Sequence, residues 1–189
     1  MLFRSGVDVA IFNAGTHTPA SGTGFDSRQF VELTTLNYFG PLFGLDAVLP
    51  GMLARGHGQV VGVASLAGYR PLPTAAAYGA SKSALSYAFN ALRFDLAPRG
   101  IEVTVVNPGF VKTPLTDRNR FRMPFLMPVD RAVAAMVRDI ERGKRESHFP
   151  GSLSWTLKAL RLLPYPVYER MIRFATRGQQ RTRTPTVGS

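Results

Sequence analysis

The chain has no cysteine. Disulfides, thiolate metal sites and a thiol nucleophile are therefore excluded, and the composition agrees with a reducing, cytoplasmic setting. Histidine is scarce. His17, His57 and His148 stand apart with no partners at ligand spacing, so no metal site is expected. Acidic residues are few, 12 against 23 Lys and Arg, for a net charge of +11. No uncharged apolar run reaches the ~18 residues a membrane span needs. The apolar stretch Val7 to Phe12 is interrupted by Asp8 and is too short for a secretory signal. Ser65 lacks a Gly-x-Ser-x-Gly setting, which removes a hydrolase elbow. Gly56-His57-Gly58 precedes a strand pattern, whereas a phosphate loop must follow a strand and open a helix. No other glycine-rich dinucleotide turn is found in the sequence.

What is present suits one domain with a core: 189 residues, 45% of them apolar. Val7–Phe12 reads as a buried strand, and a Thr, Gly and Ser-rich loop runs on to Gly24. A long helical pattern spans Ser27 to Ala54, with Asp26 and Ser27 as cap residues. Pro41 and Gly44 fall inside it and predict a bend between Asn37 and Pro41. Gln59–Ala64 is a second strand. Ala75–Leu96 is a helix with Leu85, Phe89, Leu92 and Leu96 on one stripe, ended by Pro98 and Gly100. Ile101–Val106 is a third strand, Pro128 to Arg142 a helix, and Glu146–Phe149 a short last strand. Val- and Ile-rich strands alternating with helices define an α/β fold with a parallel sheet.

The positive charge is uneven. Residues 1–111 hold 7 Lys and Arg against 6 Asp and Glu; residues 112–189 hold 16 against 6. Residues 151–178 read as a basic amphipathic helical segment, with Trp155, Leu160, Tyr168 and Phe174 among Lys158, Arg161, Arg170, Arg173 and Arg177. Residues 179–189 read as a disordered tail. Such a segment can meet nucleic acid, anionic lipid or an acidic partner, or simply solubilise. The expectation is no nucleic acid, with peripheral membrane contact or a structural role for the segment.

Chemistry is concentrated in three places. In Tyr78-Gly79-Ala80-Ser81-Lys82, the four-residue spacing puts the Tyr78 and Lys82 side chains on one helix face. Tyrosine ionises near ~10, and an ammonium one turn away would favour the phenolate and lower that value. Tyr78 is therefore the candidate acid/base. Ser65 follows the apolar run Val60-Val61-Gly62-Val63, where an open sheet presents ligand-facing residues. Asn37 sits within the long helix, where asparagine is mildly unfavourable.

Together with Asn13-Ala14-Gly15 and Asn107-Pro108-Gly109-Phe110-Val111-Lys112-Thr113, these residues resemble the short-chain dehydrogenase/reductase (SDR) family over roughly residues 7–150. The resemblance implies a Rossmann-like, doubly wound parallel sheet in a partial domain over residues 1–150. It also implies an NAD(P)-dependent oxidoreductase with Asn37, Ser65, Tyr78 and Lys82 as its catalytic set. Lys82 would also hold the ribose hydroxyls of NAD or NADP. Ser65 would donate to the substrate oxygen; the family often has two serines here, and this chain has Ala64 then Ser65. Asn37 would bend its helix and hold a water leading to Lys82. Asn13, Ala14 and Gly15 would brace the sheet beside the adenosine half, with Phe12 replacing the family's usual first Asn. Pro108 fixes a turn and Gly109 leaves room for a flat ring. The backbone around Val111 and the Thr113 hydroxyl would grip the nicotinamide carboxamide.

In the family's order, the strand carrying Asn-Ala-Gly is the fourth. The chain is thus expected to form the C-terminal portion only, strands four to seven. On the order of 80 residues of preceding βα units, at ~30 per βαβ unit, have no counterpart in it. The segment that chooses NAD or NADP is among them. The expected reaction interconverts an alcohol and a carbonyl on a small apolar substrate, in a homo-oligomer. Arg70-Pro71-Leu72-Pro73 and residues 115–127, with Phe121, Met123, Phe125, Leu126 and Met127, would wall the pocket. The competing expectation is an inactive remnant that binds a partner or membrane surface.

Overall fold

The computed structural model describes residues 6–19, 22–117 and 123–180. Four strands form one sheet in the order β1 (Val9–Phe12), β2 (Gly58–Val63), β3 (Ile101–Pro108), β4 (Glu146–Phe149), and every pairing is parallel. The chain order of the strands is their spatial order. Each crossover therefore moves one strand along the sheet and carries a helix over a face.

The crossover from β1 to β2 runs through α1 (Ser27–Thr34), a wide π-type turn (Thr35–Phe39) and α2 (Gly40–Arg55). Asp26 caps α1, accepting from the Arg28 amide at 2.9 Å. Where a bend was expected, the α-helical hydrogen bonding is interrupted by the π-type turn of Thr35–Phe39. Pro41 lies in the first turn of α2, where its missing N–H costs little. The π-type turn holds Asn37. Gly56 closes α2.

α3 (Ala76–Leu96) links β2 to β3, and its stripe of Leu85, Phe89 and Leu96 is buried against Val60, Val103 and Val105. Phe12 joins this core, its ring edge-on to Phe89 at 6.0 Å between centroids. The Phe at that position is thus part of the packing. The opposite face of the sheet, with Val61, Val63, Val106 and Phe149, is covered by α5 (Val129–Glu141) through Ala132 and Ile140. Helices on both faces make the sheet doubly wound. The Gln59 amide pins α5 from inside, donating to Thr104 Oγ1 at 3.1 Å and to the Ile140 carbonyl at 3.0 Å. α4 (Pro114–Asp117) is a single turn before α5.

Beyond β4 the expected helical segment is two helices, α6 (Gly151–Leu160) and α7 (Tyr165–Gln180), broken before Pro164. The disorder expected over 179–189 starts too early, because Gln179 and Gln180 finish α7; the rest of that stretch, and Phe121, lie outside the described residues. No helix among the described residues is long and apolar enough to cross a membrane.

Candidate active site

Asn37, Ser65, Tyr78 and Lys82 come together at the carboxyl end of β1 and β2. Ser65, two residues past the end of β2, is in extended backbone and accepts from the Ala67 amide at 3.1 Å, which fixes its hydroxyl. The Ser65 hydroxyl lies near enough to the Tyr78 phenol to favour its ionised form. Lys82, one turn beyond Tyr78 in α3, is buried and donates to the Val63 carbonyl at 2.8 Å. Its ammonium has three donors, and the other two have no partner among the described residues.

Asn37 is fully buried and satisfied on both sides of its amide. Its nitrogen donates to the Thr16 carbonyl at 2.9 Å and to Ser81 Oγ at 3.0 Å, and its oxygen accepts from the Thr16 amide at 2.8 Å. The π-type turn thus ties the loop after β1 to α3. Thr16 and Ser81 are the partners the sequence did not single out. A Cβ on Gly15 would stand 3.0 Å from Asn37 Oδ1 and 3.1 Å from Lys82 Nζ. A side chain there would press on both groups, so glycine suits this close approach of β1's loop. Asn13 and Ala14 are exposed at the end of β1.

The acidities depart from the simple expectation. Burial pushes the Tyr78 phenol up, with the nearby Ser65 hydroxyl acting the other way. The lowering expected from Lys82 is not what sets it. The ammonium turns to the Val63 carbonyl, and burial brings Lys82 itself down to about 8. Tyr78 as a whole keeps some exposure, yet the surroundings of its hydroxyl are dense enough for burial to dominate.

His17 was read as an isolated histidine, and the structure places it against the candidate acid/base. Its ring lies 4.7 Å from the Tyr78 ring, tilted by 35°. Its Nδ1 is buried without a hydrogen-bond partner, and burial lowers its pKa. Position two residues after Gly15 is the one signal that could have found it.

The turn after β3 is built differently from expectation. Gly109 donates to the Phe149 carbonyl at 2.7 Å. A Cβ there would meet Leu153 Cδ2 at 2.9 Å and Pro150 Cδ at 3.1 Å. The room that Gly109 leaves is taken by the start of α6. Pro108 ends β3 opposite Phe149. The Val111 carbonyl accepts from Thr116 Oγ1 at 2.7 Å, and Thr116 Oγ1 also accepts from the Thr113 amide at 2.9 Å, so Val111 and Thr113 belong to one tight turn. Val111 is also bridged to Met127, while Phe125 and Leu126 are exposed.

A second polar cluster holds the C-terminal hairpin to this end of the sheet. Glu146 accepts from the Tyr69 hydroxyl, from the Asn107 amide at 3.2 Å and from Lys158 Nζ at 2.9 Å. Burial raises the Glu146 carboxyl, but the bonds from Tyr69 and Lys158 outweigh it and hold it below its usual value. Burial, with the bond to Glu146, raises the Tyr69 phenol. Arg70 donates to the carbonyls of Leu160 and, at 2.8 Å, Leu163, and lies 4.3 Å over the Tyr168 ring. Tyr168 donates to the Pro71 carbonyl at 2.7 Å. The loop after Ser65 is thereby clamped under α6 and α7.

A parallel doubly wound sheet with a Ser–Tyr–Lys grouping at its carboxyl edge defines a Rossmann-like α/β protein. Residues 3–123 match the model of the short chain dehydrogenase family, and the chain belongs to that family. It is 40% identical over 168 residues to an uncharacterized oxidoreductase of Myxococcus xanthus, covering 89% of this chain and 66% of the relative. It is 41% identical over 112 residues to dehydrogenase/reductase SDR family member 7B of Xenopus laevis, covering 58% of this chain and 34% of that protein. The chain thus spans less than two thirds of the length of these relatives. Among solved structures, a short chain dehydrogenase from Burkholderia cenocepacia in complex with NADP superposes with a TM-score of 0.71 at 28% identity, covering 80% of this chain and 64% of that one. A short-chain dehydrogenase from Sphingobium yanoikuyae in complex with NADPH shares the fold, with a TM-score of 0.70 at 22% identity over 96% of this chain and 67% of that one.

Proposed function

We propose that this chain carries the reacting end of an NAD(P)-dependent site that interconverts an alcohol and a carbonyl on a small apolar substrate. The carrying observation is the grouping of Ser65 beside the Tyr78 phenol, with the buried Lys82 ammonium one helical turn away. The residues fit the ribose and nicotinamide end of the cofactor: Lys82 has two uncommitted donors beside the open backbone of Gly15. Asn13, Ala14, Pro108, Gly109, Val111 and Thr113 complete the proposed binding set. When bound, the cofactor supplies or accepts a hydride.

The remaining work falls to the chain. Ser65, held by the Ala67 amide, donates to the substrate oxygen and orients it. Tyr78, its phenol raised by burial, holds its proton at neutral pH and passes it from its hydroxyl to the developing alkoxide. Lys82 keeps a positive charge near that hydroxyl and is itself re-protonated easily, at about 8. Asn37 holds α3 and the loop after β1 at a fixed distance. An apolar substrate is supported by the exposed Phe125 and Leu126. Self-association is supported by Tyr87 and Phe94, 80% and 83% exposed on one side of α3. A cytoplasmic location rests on the cysteine-free composition.

We also propose that β1 to β4 correspond to strands four to seven of the family order. Support comes from Asn13-Ala14-Gly15 closing β1 and from the tyrosine helix lying between β2 and β3. Tyr78→Phe tests the chemistry. It is expected to lower reduction of apolar ketones by NADH or NADPH by ~10²–10⁴-fold, the usual worth of a general acid, with the circular dichroism melt unchanged. Turnover at the unsubstituted rate would overturn the assignment.

A further inference from the structure

The C-terminal hairpin has a second surface that the site does not use. α7 turns Tyr168 inward, against Pro71 and Arg70. Its other side faces solvent. Val167, Met171 and Phe174 follow a spacing of four and three residues, so they form one stripe, and they are 52%, 38% and 74% exposed. Arg170 and Arg173 run along one border of that stripe. With Pro166 and Glu169 they edge a shallow open depression. Arg173 is paired to Glu169 at 2.6 Å, an exposed ion pair of the kind that contributes little in water and exchanges readily for another anion.

We propose that this stripe docks on the surface of an anionic lipid bilayer, with the α7 axis lying in the membrane plane. The occupant must offer negative charge with an apolar layer directly beneath it, because the arginines and the apolar stripe share one helix side. A bilayer with acidic headgroups offers both. A second copy of this chain is disfavoured by charge, since α7 carries Arg170, Arg173 and Arg177 against Glu169 alone. The docking is independent of the oxidoreductase reading, and its failure would leave that reading intact.

Co-sedimentation of the 189-residue chain with vesicles tests it. The chain is expected to pellet with phosphatidylcholine vesicles containing phosphatidylserine, not with phosphatidylcholine alone, and to be released as salt rises. Arg170→Glu with Arg173→Glu is expected to weaken binding roughly 30-fold or more, from the contribution of each basic residue at an anionic surface. Phe174→Ser with Met171→Ser is expected to weaken binding while leaving its salt dependence in place. Tyr168 is untouched in both variants, and unchanged melts confirm that the hairpin is intact. Equal pelleting with both vesicle types, pelleting with neither, or undiminished binding by the arginine variant overturns the proposal. So does light scattering in which the Phe174 variant converts an oligomer to a monomer, which would assign the stripe to a second copy.

Discussion

Two polar knots flank Ser65 along the sheet, and they are made of opposite chemistry. On the β1 side, Asn37, Thr16 and Ser81 are joined through an amide, a hydroxyl and backbone groups, all neutral. On the β4 side, Glu146 gathers a phenol, an amide and an ammonium around one carboxylate. The neutral knot fixes α3, which carries Tyr78 and Lys82, and it is fully buried at Asn37. The charged knot fixes α6, and Lys158 and Glu146 remain partly exposed, at 25% and 38% of their side chains. Burial and neutrality go together because an uncharged amide loses less on leaving water than an ion does. The helix that carries the machinery is therefore tied to the loop after β1 by bonds that do not titrate. The cover over the loop after Ser65 is held by bonds that do.

The largest expected effect breaks the neutral knot. Asn37→Ala removes three hydrogen bonds and leaves the Thr16 amide and carbonyl without partners in the interior. At about 1 kcal/mol for each net bond, the loss is about 3 kcal/mol. Urea denaturation measures it. Asn37→Asp keeps an acceptor for the Thr16 amide but loses both donors, and it is expected to be no more stable than the alanine variant. A loss within about 0.5 kcal/mol, the scatter of ordinary surface substitutions, would mean that the loop after β1 is held by something else.

The two knots also differ in how far the sequence disclosed them. Asn37, Ser65, Tyr78 and Lys82 stood out because their types and spacings form one pattern. The strands and the helix Ala76–Leu96 stood out because apolar periodicity and Gly or Pro punctuation agree there. The charged knot had no such signal. Tyr69 and Glu146 lie 77 residues apart, and each is ordinary in its own segment. Their meeting is a product of the β3–β4 pairing and the return of α6. Gly109 was legible as a glycine that leaves room for a flat ring, but the neighbour that takes the space, Leu153, belongs to that same returning segment. The π-type turn at Asn37 was not legible, because a widened helical turn leaves no compositional mark. Proline, the residue that seemed to explain a bend there, sits where a helix tolerates it.

A smaller effect of opposite sign comes from Lys82, which lies between the two knots and belongs to neither. Its pKa falls from 10.5 to about 8 through burial. Between those values the unfolded chain binds the extra proton. The cost is therefore full below about pH 8 and fades as pH rises toward 10.5. At 1.36 kcal/mol per pKa unit, that cost is on the order of 3 kcal/mol. Lys82→Met removes it but forfeits the bond to the Val63 carbonyl, about 1 kcal/mol. The variant is thus expected to be about 2 kcal/mol more stable at pH 7 and to lose that advantage by pH 10, while losing activity. A stability difference that stays flat with pH would show that Lys82 is not held at this cost.

The smallest effect sharpens the comparison most, because it separates the knots by pH alone. Glu146 has its folded-state value held below the usual 4.5. Its contribution is present above the unfolded value and is lost as pH falls from there through the lower folded value. Glu146→Gln keeps the shape and removes the charge. Because the carboxylate is partly exposed and screened, the expected loss at pH 7 is about 1 kcal/mol. That difference between the variant and the unsubstituted protein should close as pH drops below 4.5, whereas the difference made by Asn37→Ala should stay constant over the same range. Urea midpoints for both variants, measured at neutral and acid pH, read the two slopes directly. If the Glu146 difference persists undiminished at low pH, the hairpin is held by the packing of Leu153 and Tyr168, and the charged knot only decorates that contact.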